Sequence, residues 1–145
     1  MNSRHFLILA QKLLNDPDEA AWRSAVSRGY YAAFHAAREL LHDLGFAVPR
    51  AERAHAYLWL RLSNCGAPPV KKSGAALNTL RQDRNGADYE LQRPLSQANA
   101  LRSVRVAEQI ILLLDAAGKD PLRAAITDAM KIYERDVLKD VTWHP

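Results

Sequence analysis

The chain has 145 residues, 48% of them hydrophobic and 25% charged, enough for one domain with its own core and too few to expect two. No apolar run approaches the roughly 18 residues a membrane span needs, and the one cysteine, Cys65, has no partner for an internal disulfide, so the composition points to a cytoplasmic protein without membrane contact. The net charge of +4 is localised: residues 71–105 carry Lys71, Lys72, Arg81, Arg84, Arg93, Arg102 and Arg105 against Asp83, Asp88 and Glu90, and the rest of the chain balances. Such an excess draws phosphates when it is gathered on one surface, and is otherwise a solvated face.

Apolar spacing is helical nearly throughout, and no stretch alternates as a strand does, which predicts an all-α chain. Helix one starts after Ser3 as N-cap and runs through Phe6, Leu7, Leu9, Ala10, Leu13 and Leu14. Helix two starts near Pro17, with Asp18 and Glu19 at its positive end, and stops at Gly45. Pro49 opens a third helix that ends near Asn64 and Gly66, and GAPPVKKSG is expected as a loop. The pattern from Ala75 to Arg84 is helical, with a break or tight bend predicted at RNGADY around Gly86. Pro94 leads into a strongly apolar helix ending at Gly118, and Pro121 starts a last amphipathic helix through Val137. The expected architecture is an up-and-down four-helix bundle over residues 1–118, with a C-terminal helical extension, 119–145, packed on the same domain.

Helix two carries the densest chemistry. Trp22, Val26, Ala33, Ala37, Leu40 and Leu44 make a core seam, and the alanines at 32, 33, 36 and 37 allow another helix close approach. Arg28, His35 and His42 recur every seventh residue with Tyr31 and Arg38 on adjoining turns, forming a polar and aromatic stripe. That stripe suits either a general acid or base with a phosphate clamp, or aromatic side chains bonded across helices. The five histidines are scattered and no zinc, calcium, phosphate-loop or nucleophile-elbow pattern occurs, so neither metal nor cofactor is expected. A helix-turn-helix reading fits poorly, because its recognition helix would be the apolar segment 96–117.

Two segments resemble the HEPN domain family of small helical proteins. SRGYYAAFHAARELL, residues 27–41, is similar to the long-helix signature of an uncharacterised bacterial and archaeal branch, and LRQDRNGADYEL, residues 80–91, is similar to its Arg-x-x-Ala-Asp-Tyr segment. The resemblance covers roughly residues 3–117. It implies a four-helix bundle that forms a homodimer and binds RNA or a nucleotide, often as a metal-independent endoribonuclease. It also implies a toxin neutralised by a minimal nucleotidyltransferase antitoxin or, as an alternative, a noncatalytic partner subunit of such a nucleotidyltransferase.

The family's active-site pattern, an Arg, a polar residue and a His a few positions on, matches Arg84 and Asn85 but not the His. Tyr89 stands in that region, and no His occurs between Arg84 and His144. Cleavage by an RNA 2′-hydroxyl needs proton acceptor, proton donor and positive charge. Arg84 supplies charge, while a phenol is a poor base at neutral pH. Asp88 would pair with and orient Arg84, and His35 would substitute for the missing imidazole if helix two faces RNGADY. The expected catalytic set is thus Arg84, Asn85, Asp88, Tyr89 and His35, and the expected phosphate contacts are Arg81, Arg84, Arg93, Lys71, Lys72 and Arg28.

Overall fold

In the computed structural model, which describes all 145 residues, every regular element is helical, and no helix is long and apolar enough to cross a membrane. The first helix, α1, spans Arg4–Leu13. Ser3 precedes it but does not cap it with its side chain; the hydroxyl is buried without a partner. Contacts to a distant helix hold α1 instead: Arg4 pairs with Asp115, and Gln97 donates to the Leu14 carbonyl at 2.6 Å.

The long helix α2, Glu19–Leu44, has local signals at both ends. The Asp18 carboxylate accepts from Ala20 N–H at 3.1 Å, and Gly45, at φ 108°, turns the chain out in the left-handed conformation that glycine adopts without strain. Its burial is wider than one seam. Besides Val26, Ala33, Ala37, Leu40 and Leu44, it buries Ala25, Ser27, Gly29, Tyr30, Ala32, Phe34 and Leu41, whereas Trp22 is only half-buried. The reason is position: α2 is packed by α1, α5, α4 and α3, so it has no broad solvent face.

The third helix, α3, begins at Arg53 rather than just after Pro49, and ends at Ser63. The next, α4, corrects two expectations. It runs without interruption over Pro68–Tyr89, so GAPPVKKSG is largely its first two turns and RNGADY is its last turns, not a bend. Pro68 and Pro69 occupy the first helical positions, where their missing N–H groups cost no hydrogen bond. Gly74 lies where α4 meets α3, and a Cβ there would be 2.5 Å from Ser63 N. One interior glycine costs a helix about 1 kcal/mol. That is less than the burial of Leu77, Leu80 and Ala87 on the same element contributes.

Ser96 caps α5, Gln97–Ala117, by accepting from Asn99 N–H at 3.1 Å, and α6 spans Leu122–Tyr133 before a π-helical turn, Glu134–Leu138. The main core gathers Tyr30, Phe34 and Leu41 of α2, Leu58 and Leu62 of α3, Leu77 and Leu80 of α4, Ile110 of α5, and Ile126 and Met130 of α6. A smaller cluster packs Ala10 of α1 and Leu14 just after it against Val26, Ala87, Ala100 and Val104. The C-terminal residues return to the end of α2, where Trp143 pairs with Phe46 in an isolated bridge and its Nε1 donates to the Leu44 carbonyl at 2.8 Å.

Candidate nucleic-acid interface

Because α2 packs on α4, the first half of its stripe, Arg28 and Tyr31, meets the end of α4. Arg84 is only 14% exposed and lies with its Nε 3.0 Å from an Asp88 carboxylate oxygen, one turn away on the same helix. That N–H does not point at the oxygen and makes no hydrogen bond. The guanidinium donates instead through Nη1 to Asn85 Oδ1 at 2.9 Å. Ser27 of α2 donates to Asp88 at 3.2 Å and accepts from Arg28 at 3.5 Å, tying the two helices at this point.

Tyr31 is the centre of the arrangement. The Arg84 guanidinium carbon is 5.2 Å from its ring centroid and that of Arg28 is 5.4 Å away, so two cations share one aromatic ring. Arg28 also lies 5.3 Å from the Phe6 ring of α1, and Arg84 5.6 Å from Tyr89. Side chains from three helices therefore form an alternating series of rings and guanidinium groups: Phe6, Arg28, Tyr31, Arg84 and Tyr89. Tyr89 ends the series and is 73% exposed. Such a surface can stack a base on the outer ring and hold a phosphate alongside an arginine.

His35 joins through its ring, which stacks on Phe6 at 5.8 Å and tilts against Tyr31 at 6.3 Å. The expected basic residues separate into different regions. Arg81, one turn before Arg84, belongs to this face, with its charge opposed by Glu52 at 3.5 Å. Lys71 and Lys72 lie at the far end of α4, about 18 Å from Arg84 along the helix axis. Arg93 lines a cleft of about 770 Å³ on the opposite flank of α4, against α5. Nowhere do three or more His, Cys, Asp or Glu side chains gather as they would to hold a metal ion.

Two features were missed by sequence reasoning because they join residues far apart in the chain. Arg23 donates to the carbonyls of Ala87 at 3.0 Å, Gly86 at 3.4 Å and Glu90 at 3.3 Å, and also to that of Arg93, closing the end of α4 beside Asp88 and Tyr89. Glu19 fixes the same junction by accepting from Arg23 at 3.2 Å and from Leu95 N–H at 2.7 Å, and the Leu95 bond chiefly holds its carboxyl below the usual range. The second feature is a buried pair, Tyr30 Oη and His55 Nδ1, 2.5 Å apart, with His55 also against Tyr31 at 6.3 Å.

Burial lowers the pKa of both His55 and His35 below the usual 6.5; nearby Arg81 adds to the effect on His55 and Arg38 to that on His35. A depressed histidine pKa means that the unfolded chain binds more protons at mildly acidic pH, so stability is full above about 6.5 and falls as the pH is lowered toward the folded-state values. Urea denaturation at pH 7.5 and 5.5 is expected to show the loss, with a smaller difference in a His35→Gln variant. An equal or larger difference in that variant would contradict a role for His35.

A family model described as HEPN domain matches residues 2–117 of the chain. No curated protein and no solved structure gives a significant match.

Proposed function

Since this chain belongs to the HEPN domain family, we propose that it binds RNA or a nucleotide on the face formed by Arg28 and Tyr31 of α2 with Arg84 of α4. The observation carrying this reading is the sharing of the Tyr31 ring by two guanidinium groups, at 5.4 and 5.2 Å, on a surface whose outer ring, Tyr89, is open. Contact with one ring keeps both cations on the same face, Arg84 with Asp88 beside it, which suits a phosphate alongside the guanidinium groups and a base on the exposed ring. The reading extends to an up-and-down four-helix bundle acting as a cytoplasmic homodimer, and to a metal-independent endoribonuclease of a toxin–antitoxin pair with a nucleotidyltransferase as antitoxin. Residues 119–145 are then an extension of the same domain.

A second reading, a noncatalytic partner subunit of a minimal nucleotidyltransferase, is favoured by a specific feature: Arg84 faces Asp88 at 3.0 Å, and α4 carries no histidine. Under that reading the exposed Tyr89 hydroxyl is a contact or a nucleotidylation acceptor.

Titrating a labelled single-stranded RNA in chelator, with intact product scored on a gel, tests the primary reading. Arg84→Ala and Tyr31→Ala are each expected to weaken binding about tenfold, the scale of one charge-assisted or stacking contact. Tyr31→Phe, which keeps the ring, is expected to bind like the unaltered protein. Unchanged affinity in Arg84→Ala would remove this face as the binding site. Binding without cleavage, together with co-purification of a nucleotidyltransferase, would select the noncatalytic reading.

A further inference from the structure

His55 belongs to α3 and is 5% exposed, yet it is not an inert core residue. Its ring is enclosed by three rings of α2: it stacks on Tyr30 at 5.6 Å, tilts against Phe34 at 4.9 Å and meets the edge of Tyr31 at 6.3 Å. The charged groups facing it are Glu52 at the start of α3, and Arg81 and Arg84 of α4.

The Tyr30 hydroxyl determines which nitrogen carries the proton. Tyr30 is 1% exposed and its Oη has His55 Nδ1 as its one hydrogen-bond partner. Burial raises the phenol pKa, so it stays protonated, and its O–H has nowhere else to donate. Nδ1 must then be the acceptor, which places the proton of the neutral imidazole on Nε2.

Nε2 itself has no partner within the chain. It is also not sealed, because the buried polar side-chain atoms lacking a partner are Ser3 Oγ, Arg61 Nη2, Ser63 Oγ and Arg84 Nε. An N–H donor of fixed tautomer therefore keeps a small opening to solvent on a ring that is 5% exposed, with Arg81, Glu52 and Arg84 as the charged groups around it. A neutral imidazole so placed cannot accept a proton at Nε2, but it can donate a hydrogen bond to an anion.

We propose that His55 Nε2–H, held in one tautomer by Tyr30, is a hydrogen-bond donor to the phosphate bound beside Arg84 and Arg81, so that the α3 wall is part of the anion site. The proposal rests on the RNA- or nucleotide-binding reading above and assigns its recognition to the phosphate group. The role differs from that of a general base: the ring stays neutral and the donor is fixed before the anion arrives, so no reorientation is needed on binding.

Long-range proton–nitrogen NMR on uniformly labelled full-length protein reads the tautomer and the contact together. The probe is a short single-stranded RNA carrying 2′-fluorine in place of each 2′-hydroxyl, which cannot be cleaved through that position. In the free protein His55 is expected as the Nε2–H tautomer at pH 7, and adding the probe is expected to shift the Nε2 resonance. Tyr30→Phe is expected to release the tautomer, giving a mixture of Nδ1–H and Nε2–H forms. Replacing both Tyr30 and His55 by Phe, which leaves no buried hydroxyl unpaired and keeps two rings in the core, is expected to weaken probe binding roughly tenfold. Arg84-dependent binding that leaves the His55 nitrogens unmoved, or an Nδ1–H tautomer in the free protein, would overturn the proposal while leaving the binding reading intact. Absence of probe binding by the unaltered protein would overturn both.

Discussion

Glu134→Ala is expected to destabilise the protein by about 3–5 kcal/mol, the usual cost of removing one member of a buried ion pair. Glu134 is fully buried, and its carboxylate accepts from Arg61 Nε at 2.8 Å, from the backbone N–H groups of Thr142 at 2.9 Å and Trp143 at 3.2 Å, and from the Thr142 hydroxyl. Arg61 is 3% exposed, and its guanidinium lies 3.4 Å from the Tyr57 ring centroid. Truncating Glu134 leaves that cation buried with no counter-charge and releases the C-terminal residues from the end of α2. For a chain of this length the expected drop in Tm is roughly 10 °C, read by circular dichroism. Glu134→Gln keeps an acceptor for Thr142 and should lose less. A Tm within about 2 °C of the unaltered protein in Glu134→Ala would mean the pair contributes little. The hydrogen bonds from Thr142 and Arg61 outweigh burial and hold the carboxyl below its usual range. Its contribution is therefore full above the ordinary carboxylate pKa and is lost as the pH falls through the folded-state value.

The second large effect is expected at Gly74, with Gly86 of the same helix as its control. A Cβ at Gly74 would lie 2.5 Å from Ser63 N and 2.9 Å from Leu62 C, both backbone atoms that cannot rotate away. Gly74→Ala must push α3 from α4, at a cost of about 3 kcal/mol. At Gly86 the same methyl would meet only Glu90 Oε2, at 3.6 Å. Gly86→Ala is therefore expected to stabilise the helix by up to about 1 kcal/mol, since alanine loses less backbone entropy. Chemical denaturation of the two variants should give shifts of opposite sign. Equal shifts would contradict the close approach of α3 and α4 at Gly74. Gly86→Ala should also keep RNA affinity, because its methyl points away from Arg84.

The strongest local signals agreed with the structure where their chemistry is local. Asp18 and Gly45 bound α2 much as the sequence suggests, because a side-chain cap and a left-handed glycine act within a few residues of themselves. Breaker residues were a poorer guide in α4. Two prolines and two glycines read as a loop and a bend, yet Pro68 and Pro69 open the helix, Gly74 permits a helix contact and Gly86 is carried by the burial of Leu80 and Ala87. Tertiary burial can outweigh about 1 kcal/mol of local preference at a single position.

The amino-acid sequence by itself determined that this chain is helical, where most helices begin and end, and that it carries the paired motifs at residues 27–41 and 80–91. These depend on periodicity, capping and residue order, which are properties of neighbours along the chain. Only the tertiary structure decided that Tyr31 lies between Arg28 and Arg84, that Lys71, Lys72 and Arg93 lie away from them, and that Tyr30 fixes the His55 imidazole. Those relations depend on which faces of α2, α3 and α4 meet. Helix rotation and register are set by packing of the whole core, and no local pattern specifies them.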